Sequence, residues 1–451
     1  MGLIVRDMDQ RLPSGARHKV TYLPSFDDGN GWYNILPKPG AAQVLAGSHV
    51  ADWLVIGAGY AGLSAARRLA ELHPAQRIAL VEADRVGRGT AGRNAGFAID
   101  HPFLQEANGD LERGARVRRL HQAGIAMLDQ LVKNHKIACQ WSHRGKYQVA
   151  GGAKARRVLD ATAKLLADLQ QPFEVVGPAT LASRLGTARY SEAIYTPGTC
   201  LVNPAALTRG LAKSLPTNVD LYENSPVTYL SRGAAIVAET PRGKITASQA
   251  ILATDGFTPA FGLLKGQIFN ITSFVGLTEP LSKEQQRSLG GDRDWGVHPV
   301  GAAGATIRRT QDERIWYRAD FLYSSDLSYT KAQLERSGER LLKNFHARFP
   351  QLHDVGFRHT YGGSLCISRN NEPYFARVEP NFYAVACQNG IGIAKGTIHG
   401  ALMAEWASGH ESPLLDDVLA YGAPSKLPPE PLLKWGVTAR LIAARLAGRQ
   451  E

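Results

Sequence analysis

The spacing of apolar positions changes twice between residues 53 and 81. Residues 53–56 form an apolar run that is typical of a strand buried on both faces. Apolar residues then recur at helical spacing, at Leu63, Ala66, Leu69 and Ala70. Residues 77–81 predict a second apolar strand. A strand, a helix and a strand within about 30 residues predict a βαβ unit with parallel strands.

The remainder of the chain mixes long helices with short strands. Helical periodicity is found in three long segments, 103–135, 153–170 and about 330–348. Segments 306–310 and 314–318 alternate in polarity around three polar residues, which predicts a hairpin. Near the end, residues 382–387 predict a strand that leads through a glycine turn into a helix ending near Trp406.

Length and cysteine pattern limit the class of protein. A chain of 451 residues is too long for one hydrophobic core, so we expect two or three domains, or one domain with large insertions. A hydrophobic share of 44% and a charged share of 20% are typical of a soluble globular protein. The sequence shows neither a signal peptide nor a run of about 18 apolar residues. The cysteines are widely separated without a CxxC pair, which argues against bound zinc, against a disulfide framework and for a reducing, cytoplasmic location: Cys139, Cys200, Cys366 and Cys387.

The chain is basic, with a formal net charge of +12 from 52 basic and 40 acidic residues. It contains no zinc finger, RNP-like segment or lysine run, so we expect no nucleic-acid partner. Residues 432–449 form a basic amphipathic segment with Trp435 near one end. Two interpretations fit this segment: a terminal helix docked on the protein body or on a partner, or a helix lying on the inner face of a membrane.

The first predicted strand ends in a glycine motif, Gly57-Ala58-Gly59-Tyr60-Ala61-Gly62. Gly57 permits a tight turn, Gly59 leaves room for a pyrophosphate, and Gly62 lets the next helix pack closely on the sheet. The start of that helix supplies N–H donors for phosphates. Glu82, followed by Ala83, ends the second strand, where a carboxylate can accept hydrogen bonds from ribose hydroxyls and disfavours NADP. The alternative is a tight turn that binds no ligand.

A second glycine-rich loop follows the acid: Gly89-Thr90-Ala91-Gly92-Arg93-Asn94-Ala95-Gly96-Phe97. Such a loop can enclose the other side of a pyrophosphate, which a simple NAD dehydrogenase does not need. With this loop the sequence resembles the D-amino-acid oxidase superfamily of FAD enzymes. The resemblance is strongest to the glycine oxidase, sarcosine oxidase and gamma-glutamylputrescine oxidoreductase branch, in which the loop commonly reads G-A-S-G-R-N-G-G. It covers about residues 50 to 410.

The resemblance implies where FAD would bind. It places Val227 beside the adenine, and Thr254 and Gly256 against the ADP moiety. Some relatives attach the flavin to a cysteine at the position that is Gly363 here, so we expect non-covalent FAD. No metal is expected. A third glycine turn would bring backbone N–H groups to the pyrimidine edge of the flavin, Gly390-Ile391-Gly392-Ile393.

The resemblance also implies a reaction. Relatives oxidise a carbon that bears an amine to an imine, by hydride transfer to flavin N5, and water hydrolyses the imine. We expect an amine or amino acid as substrate, and oxygen, a quinone or a carrier protein as electron acceptor. Arg308 and Tyr317 on the hairpin, with Phe97 and Lys395 near the flavin, are the candidate catalytic residues, and Lys395 would also contact FAD. Two alternatives stay open: a flavoenzyme of other chemistry, and an inactive flavin-binding assembly protein.

Together these motifs predict an α/β fold in which a Rossmann-type FAD-binding domain is interleaved with an antiparallel-sheet substrate domain. The late glycine turn returns the chain to the FAD-binding domain. The predicted limits are residues 1–50 for an N-terminal arm; 51–105, 195–258 and 360–410 for the FAD-binding domain; 106–194 and 259–359 for the substrate domain; and 411–451 for a basic C-terminal appendage.

Overall fold

The computed structural model describes residues 16–301 and 304–448 of the chain. The first fifteen residues of the predicted arm, residues 302–303 and the last three residues, among them Arg449, lie outside the described part. Within the described ranges, no helix has both the length and the apolar character that crossing a membrane requires.

The first sheet contains the βαβ unit. Strands β9, β3, β2 and β12 lie side by side and run parallel, and β19 pairs in parallel with the end of β12. Side chains of β3 alternate between two apolar clusters, so this strand is buried on both faces. The described strands of this sheet are β1 (Arg17–Lys19), β2 (Gly47–Ile56), β3 (Ile78–Val81), β9 (Val219–Tyr222), β10 (Tyr229–Ser231), β11 (Ile236–Glu239), β12 (Gly243–Leu252), β18 (Tyr374–Glu379) and β19 (Phe382–Ala386).

The second sheet has the spatial order β17-β13-β16-β15-β14-β5-β7-β6 and is antiparallel except between β14 and β5. The antiparallel pairing of β15 with β16 confirms the predicted hairpin. A short pair, β4 (Phe97–Ala98) and β8 (Cys200–Leu201), forms a separate small sheet. The described strands of the second sheet are β5 (Lys146–Ala150), β6 (Glu174–Val176), β7 (Glu192–Thr196), β13 (Ile268–Thr278), β14 (Trp295–Pro299), β15 (Thr306–Arg309), β16 (Ile315–Tyr323) and β17 (Phe357–Ser368).

Helices connect and cover the sheets. The βαβ unit is β2, α2 and β3, as predicted, and α9 begins after Thr330, whose side chain accepts a hydrogen bond from the Gln333 N–H. The described helices are α1 (Gly31–Asn34), α2 (Tyr60–Leu72), α3 (Leu104–Ala107), α4 (Leu111–Asn134), α5 (Ala153–Asp168), α6 (Pro178–Leu185), α7 (Pro204–Lys213), α8 (Lys283–Ser288), α9 (Lys331–Arg348), α10 (Ala394–Ala407), α11 (Pro413–Leu419) and α12 (Leu432–Gly448).

Helices α2 and α10 cross at very short distance. A Cβ on Gly400 would lie 2.0 Å from the carbonyl oxygen of Ala61, so no side chain fits there. A Cβ on Gly396 would lie 3.5 Å from the Cβ of Tyr60. This crossing brings the start of α10, and the glycine turn before it, next to the glycine motif at the start of α2.

The N-terminal arm connects the two sheets. Strand β1 pairs with β10 of the first sheet. Trp32 of α1 is fully buried, and its ring stacks on Trp316 of β16 in the second sheet with centroids 6.4 Å apart. The arm therefore packs against both halves of the protein, whereas the domain limits given above stay predictions.

Candidate active site

The carboxyl ends of β2 and β3 form a cradle with almost no side chains in it. Gly57 has a φ of +100°, and a Cβ there would lie 2.6 Å from the carbonyl oxygen of Ala253, so the turn requires glycine. Gly59 faces open space: the nearest neighbour of an added Cβ would be the Cβ of Ala91, at 3.7 Å. Bare backbone and the free N–H groups at the start of α2 therefore border the cradle.

Glu82 closes the cradle at the end of β3. Its Oε2 accepts a hydrogen bond from the Ala58 N–H at 2.8 Å, and its Oε1 accepts one from the Asp84 N–H at 3.2 Å. Burial raises the pKa of Glu82 to about 7, although these backbone donors act in the opposite direction. The carboxyl group keeps unused acceptor positions toward the cavity.

Four distant segments line one elongated cavity beside the cradle. The glycine motif, the second loop, the turn after β12 and the turn before α10 all contribute, which brings together motifs that are hundreds of residues apart in the chain. The predicted cofactor-binding residues that line this cavity are Gly57, Ala58, Gly59, Tyr60, Ala61, Glu82, Ala83, Gly89, Thr90, Ala91, Asn94, Val227, Thr254, Gly256, Gly390 and Gly392.

The remaining predicted glycines shape the wall and do not face the cavity. A Cβ would lie 1.7 Å from the Gly57 oxygen at Gly62, 1.9 Å from the Gly87 oxygen at Gly92 and 2.0 Å from the Val202 oxygen at Gly96. These glycines permit tight backbone packing. Four further predicted residues line a neighbouring cavity instead, Arg93, Phe97, Ile391 and Ile393.

The structure adds Gln388, two residues before Gly390, to this cavity. Its side chain is buried, and within the described part of the chain neither Oε1 nor Nε2 has a hydrogen-bond partner. Buried amides normally have partners, so this amide fits a ligand that offers both a donor and an acceptor. Its place beside the third glycine turn is the only signal in the sequence that could have indicated it.

The N-terminal arm supplies a wall that the sequence motifs did not indicate. Arm residues cover the cavity, and Asp27 fixes them: its Oδ2 pairs with the buried Arg93 at 2.8 Å and accepts a hydrogen bond from Tyr329. The Arg93 Nη2 also donates to the carbonyl oxygen of Asp27. The second loop is thus tied to the arm through Arg93. The arm residues that line the cavity are Val20, Tyr22, Leu23, Pro24 and Phe26.

A second cavity of about 300 Å³ opens beside the first. Its wall combines aromatic side chains, Phe97, Phe103 and Trp316, with a few polar groups from the second sheet. Such a mixture of an apolar wall and a few convergent polar groups is typical of small-molecule sites. The two cavities share Thr90, Asn94, Ser364, Leu365, Gly390 and Gly392.

The polar groups of the second cavity form one row across the second sheet. Gln148 of β5 pairs with His298 of β14, and Thr306 of β15 pairs with Arg318 of β16. Because β14 and β15 are neighbours, the four residues lie on one face of the sheet and all line the cavity.

Arg318 is a half-buried cation that has no ion-pair partner among the described residues. Its guanidinium donates a hydrogen bond to the Thr306 hydroxyl and lies over the ring of Phe321, 4.7 Å from the centroid. No carboxylate of the described residues forms an ion pair with it, and burial alone lowers its pKa to about 10. The side chain therefore stays charged at neutral pH. A ligand with a carboxylate would neutralise it.

Two polar atoms without a partner lie in the same row as Arg318. Oε1 of Gln148 and Nδ1 of His298 have no hydrogen-bond partner in the described structure. Burial, and then the charges of Lys146 and Arg318, lower the pKa of His298 to about 3, so its ring is neutral at physiological pH and one of its two nitrogens can accept a hydrogen bond. The row thus combines one cation with two polar groups that are free to bind a ligand.

Arg308 was predicted as a catalytic residue, and the structure places its side chain against backbone carbonyl groups. It lies on the expected face of β15, but its Nη1 donates to the carbonyl oxygens of Ala95, Gly96 and Val202 at 3.0 to 3.3 Å. It does not line the cavity. Arg318, two pairing positions further along the hairpin, lines the cavity instead. Because Arg308 pairs with Trp316, and Arg318 follows Trp316 by two residues, all three side chains lie on the same face of the hairpin.

Tyr317 and Lys395 are also placed outside both cavities. Tyr317 points to the opposite face of β16, where its ring packs in the core and its hydroxyl donates to Asn344. Nζ of Lys395 pairs with Glu106 at 2.9 Å, with both side chains buried. Although burial tends to raise the pKa of Glu106, the Lys395 charge holds it below its usual value. Neighbouring residues on a helix point about 100° apart, so the side chains of Ala394 and Lys395 point in different directions.

These features fit FAD and do not suggest a metal. The open backbone at Gly59 and the acid Glu82 fit the adenosine and pyrophosphate, and the unpartnered amide of Gln388 fits the polar edge of a flavin. Within residues 16–301 and 304–448, no group of three His, Cys, Asp or Glu side chains is arranged to hold a metal ion.

Curated relatives are oxidoreductases. The chain is 26% identical to the probable oxidoreductase OrdL of Rhizobium meliloti over 418 residues, which cover 88% of this chain and 92% of the relative. It is 24% identical to gamma-glutamylputrescine oxidoreductase of Escherichia coli over 376 residues, covering 81% and 86% of the two chains.

Solved structures share the fold. Glycine oxidase from Geobacillus kaustophilus matches with a TM-score of 0.65 at 16% identity, covering 81% of this chain and 96% of that one. The amino acid oxidase NikD of nikkomycin biosynthesis matches with a TM-score of 0.65 at 15% identity, covering 85% and 99%. The family model described as FAD dependent oxidoreductase, DAO, matches residues 52–406. By this match and the cradle geometry, the chain is an enzyme that belongs to the DAO family of FAD-dependent oxidoreductases.

Proposed function

We propose that this enzyme oxidises the C–N bond of an amine or amino acid that carries a carboxylate group, giving an imine that water hydrolyses. The observation that carries the proposal is the unpaired guanidinium of Arg318, in a cavity that opens into the cofactor cradle. A half-buried cation without a protein anion is expected where the substrate brings the negative charge. The names of the relatives, which include a gamma-glutamylputrescine oxidoreductase and a glycine oxidase, support this substrate class.

The cradle residues would hold FAD through backbone and two side chains. The N–H groups at the start of α2 and the open backbone at Gly59 would receive the pyrophosphate, and Glu82 would accept hydrogen bonds from the ribose hydroxyls. The Gln388 amide would pair with the polar edge of the flavin. When bound, FAD supplies the two-electron oxidation by accepting a hydride.

The row on the second sheet would orient the substrate. Arg318 would bind the carboxylate, while Oε1 of Gln148 and Nδ1 of His298 accept the N–H groups of the amine. Because His298 is neutral, it adds no positive charge beside a nitrogen that must lose a proton during oxidation. The aromatic wall excludes water from the substrate carbon. The substrate loses a hydride from carbon and a proton from nitrogen, and hydrolysis of the imine yields a carbonyl compound and an amine.

An anaerobic substrate screen tests this proposal. Purified holoenzyme is mixed without oxygen with amines and amino acids. Each is offered with and without its carboxylate, and the visible absorbance of the oxidised flavin is followed. We expect bleaching by at least one carboxylate-bearing amine and weaker bleaching by its carboxylate-free analogue. Flavin that no amine or amino acid reduces would contradict the proposal.

The electron acceptor requires a second step of the same experiment. Admitting air to the reduced enzyme distinguishes oxygen from other acceptors, since rapid return of the flavin colour is the behaviour of an oxidase. Slow return that a soluble quinone accelerates is the behaviour of a dehydrogenase. Both results are compatible with the proposal, which concerns the substrate and leaves the acceptor open.

We also infer that FAD is bound without a covalent link. Cys366 is the cysteine that lines the cofactor cavity within the described residues. A hydrogen bond with Cys387, and then burial, raise the pKa of the Cys366 thiol well above its usual value, so it has little thiolate character. After acid precipitation we expect the flavin in the supernatant. A yellow protein pellet would contradict this inference.

Cofactor affinity should depend on pH through Glu82. Its pKa of about 7 is higher than that of a carboxyl group in water, so the folded protein favours the protonated form. The contribution of this group to stability is therefore present at low pH and is lost as the pH rises through about 7. Ribose hydroxyls that donate to the carboxylate favour the ionised form. We therefore expect the Kd for FAD to decrease as the pH rises toward 7, by up to about tenfold per pH unit, and to be constant above pH 7.

Titration of the apoprotein with FAD, followed by flavin fluorescence, measures this dependence. Glu82→Gln, which keeps the size of the side chain, should bind FAD more weakly and with a flat pH profile. Equal pH profiles in the two proteins would show that Glu82 does not contact the ribose.

A further inference from the structure

Helix α12 has one apolar face that packs on the protein body. Leu433, Val437, Leu441 and Ala444 recur at helical spacing and are half-buried, and the helix contacts β16. Arg445 fixes its end by an ion pair with Asp320 at 2.7 Å and a hydrogen bond to the carbonyl oxygen of Phe321 at 3.1 Å. The docked interpretation of this segment therefore describes one face of the helix.

A second apolar stripe on the same helix faces solvent. Leu432, Trp435 and Ile442 are 56%, 64% and 50% exposed, and Ala439 between them is exposed as well. Their spacing of i, i+3, i+7 and i+10 places them on one side of the helix. Single exposed apolar residues are ordinary, whereas a continuous stripe marks an interaction surface.

The charges beside the stripe identify the kind of partner. Residues 432–448 contain three basic residues, Lys434, Arg440 and Arg445, and no acidic one. The whole chain carries a net charge of +12. A second copy of this chain would bring the same excess of positive charge to the contact, which disfavours self-association. An anionic surface is complementary.

We infer that the outward face of α12 docks the enzyme on an anionic lipid surface. The apolar stripe would enter the boundary between head groups and acyl chains, with Trp435 at the depth where tryptophan is enriched. Lys434 and Arg440, both exposed, would contact the anionic head groups. Because the inner face of α12 is already anchored on β16, docking needs no unfolding of the helix.

Vesicle co-sedimentation of the FAD-loaded enzyme tests the inference. We expect the protein to pellet with phosphatidylcholine vesicles that contain phosphatidylglycerol and to stay in solution with phosphatidylcholine alone. A triple change, Leu432→Ser with Trp435→Ser and Ile442→Ser, keeps the charge and should lower the partition coefficient about tenfold or more. The double change Lys434→Gln with Arg440→Gln should lower it about fivefold for each residue.

A matched control makes the same kind of change at exposed apolar sites elsewhere. Val50 and Val175 are 75% and 55% exposed in the first and second sheets, so Val50→Ser with Val175→Ser should bind vesicles like the unchanged enzyme. All variants should keep their FAD content and flavin reduction, since α12 lies outside both cavities.

Three results would overturn the inference. The first is an enzyme that stays in solution with both kinds of vesicle. The second is a triple variant that pellets as well as the unchanged enzyme. The third is a dimer, seen by light scattering without lipid, that the triple variant does not form. The stripe would then bind a second copy of the chain.

Discussion

Replacing Arg318 by methionine is expected to lower kcat/KM for a carboxylate-bearing substrate by about 100-fold or more, equivalent to roughly 3 kcal/mol. The guanidinium is a half-buried cation of the second cavity that has no ion-pair partner among the described residues, so under the proposed function its removal leaves the substrate carboxylate unpaired. The loss should be mainly in substrate affinity, because the carboxylate is bound equally before and during oxidation. Rapid-mixing measurements of anaerobic flavin reduction separate the dissociation constant from the limiting rate.

Two comparisons separate recognition by Arg318 from a structural effect. Arg358→Met changes an exposed arginine on β17 and should leave reduction unchanged. For an amine without a carboxylate, the Arg318→Met enzyme should perform close to the unchanged enzyme. Removing a half-buried charge that has no ion-pair partner should not lower the unfolding temperature. An unchanged dissociation constant for the carboxylate substrate would exclude Arg318 from substrate binding.

Gly59→Val is expected to weaken FAD binding by about tenfold to 100-fold while leaving the apoprotein folded. Gly59 has an extended backbone, with φ −80° and ψ −171°, which valine adopts without strain. An added Cβ would meet no protein atom closer than 3.7 Å, and the valine methyl groups would compete with the pyrophosphate for the open space of the cradle. The FAD content of the purified protein and the Kd from apoprotein titration measure the effect.

Gly177 offers a matched control for this substitution. It also precedes the first residue of a helix, with φ −79° and ψ 168°, and has no neighbour within 4 Å of an added Cβ. Gly177→Val should therefore retain FAD fully. If both variants kept their cofactor, the cradle at Gly59 would not be the site of the pyrophosphate. Loss of FAD from both would indicate a general effect of valine at a helix start.

The cofactor site could be predicted because each of its motifs is a local demand on the backbone. Gly57 requires a positive φ and Gly62 tolerates no Cβ. Both requirements concern the short segment that links β2 to α2. The acid Glu82 ends a strand of the same βαβ unit. Such constraints are visible in a single sequence, and the family match bears out the fold that they predict.

The substrate cavity could be predicted only in part, because its polar row depends on strand pairing across the whole second sheet. Gln148, His298 and Arg318 come from strands far apart in sequence, and only their register places them on one face. On the hairpin, Arg308 and Tyr317 lie on opposite faces, because Arg308 pairs with Trp316 and successive residues of a strand face opposite sides. The two side chains therefore cannot line the same cavity. The position of Lys395 outside both cavities could not be predicted from the sequence, because its partner Glu106 lies 289 residues earlier.

The contacts of the N-terminal arm set an order for biosynthesis. Asp27 emerges from the ribosome early, but its partner Tyr329 is made 302 residues later, and Trp32 waits for Trp316. These two contacts of the arm therefore form only after Trp316 and Tyr329 have been synthesised. The cavity wall that includes Gln388 and Gly390 is made later still, so the complete cofactor site depends on residues from both ends of the described chain.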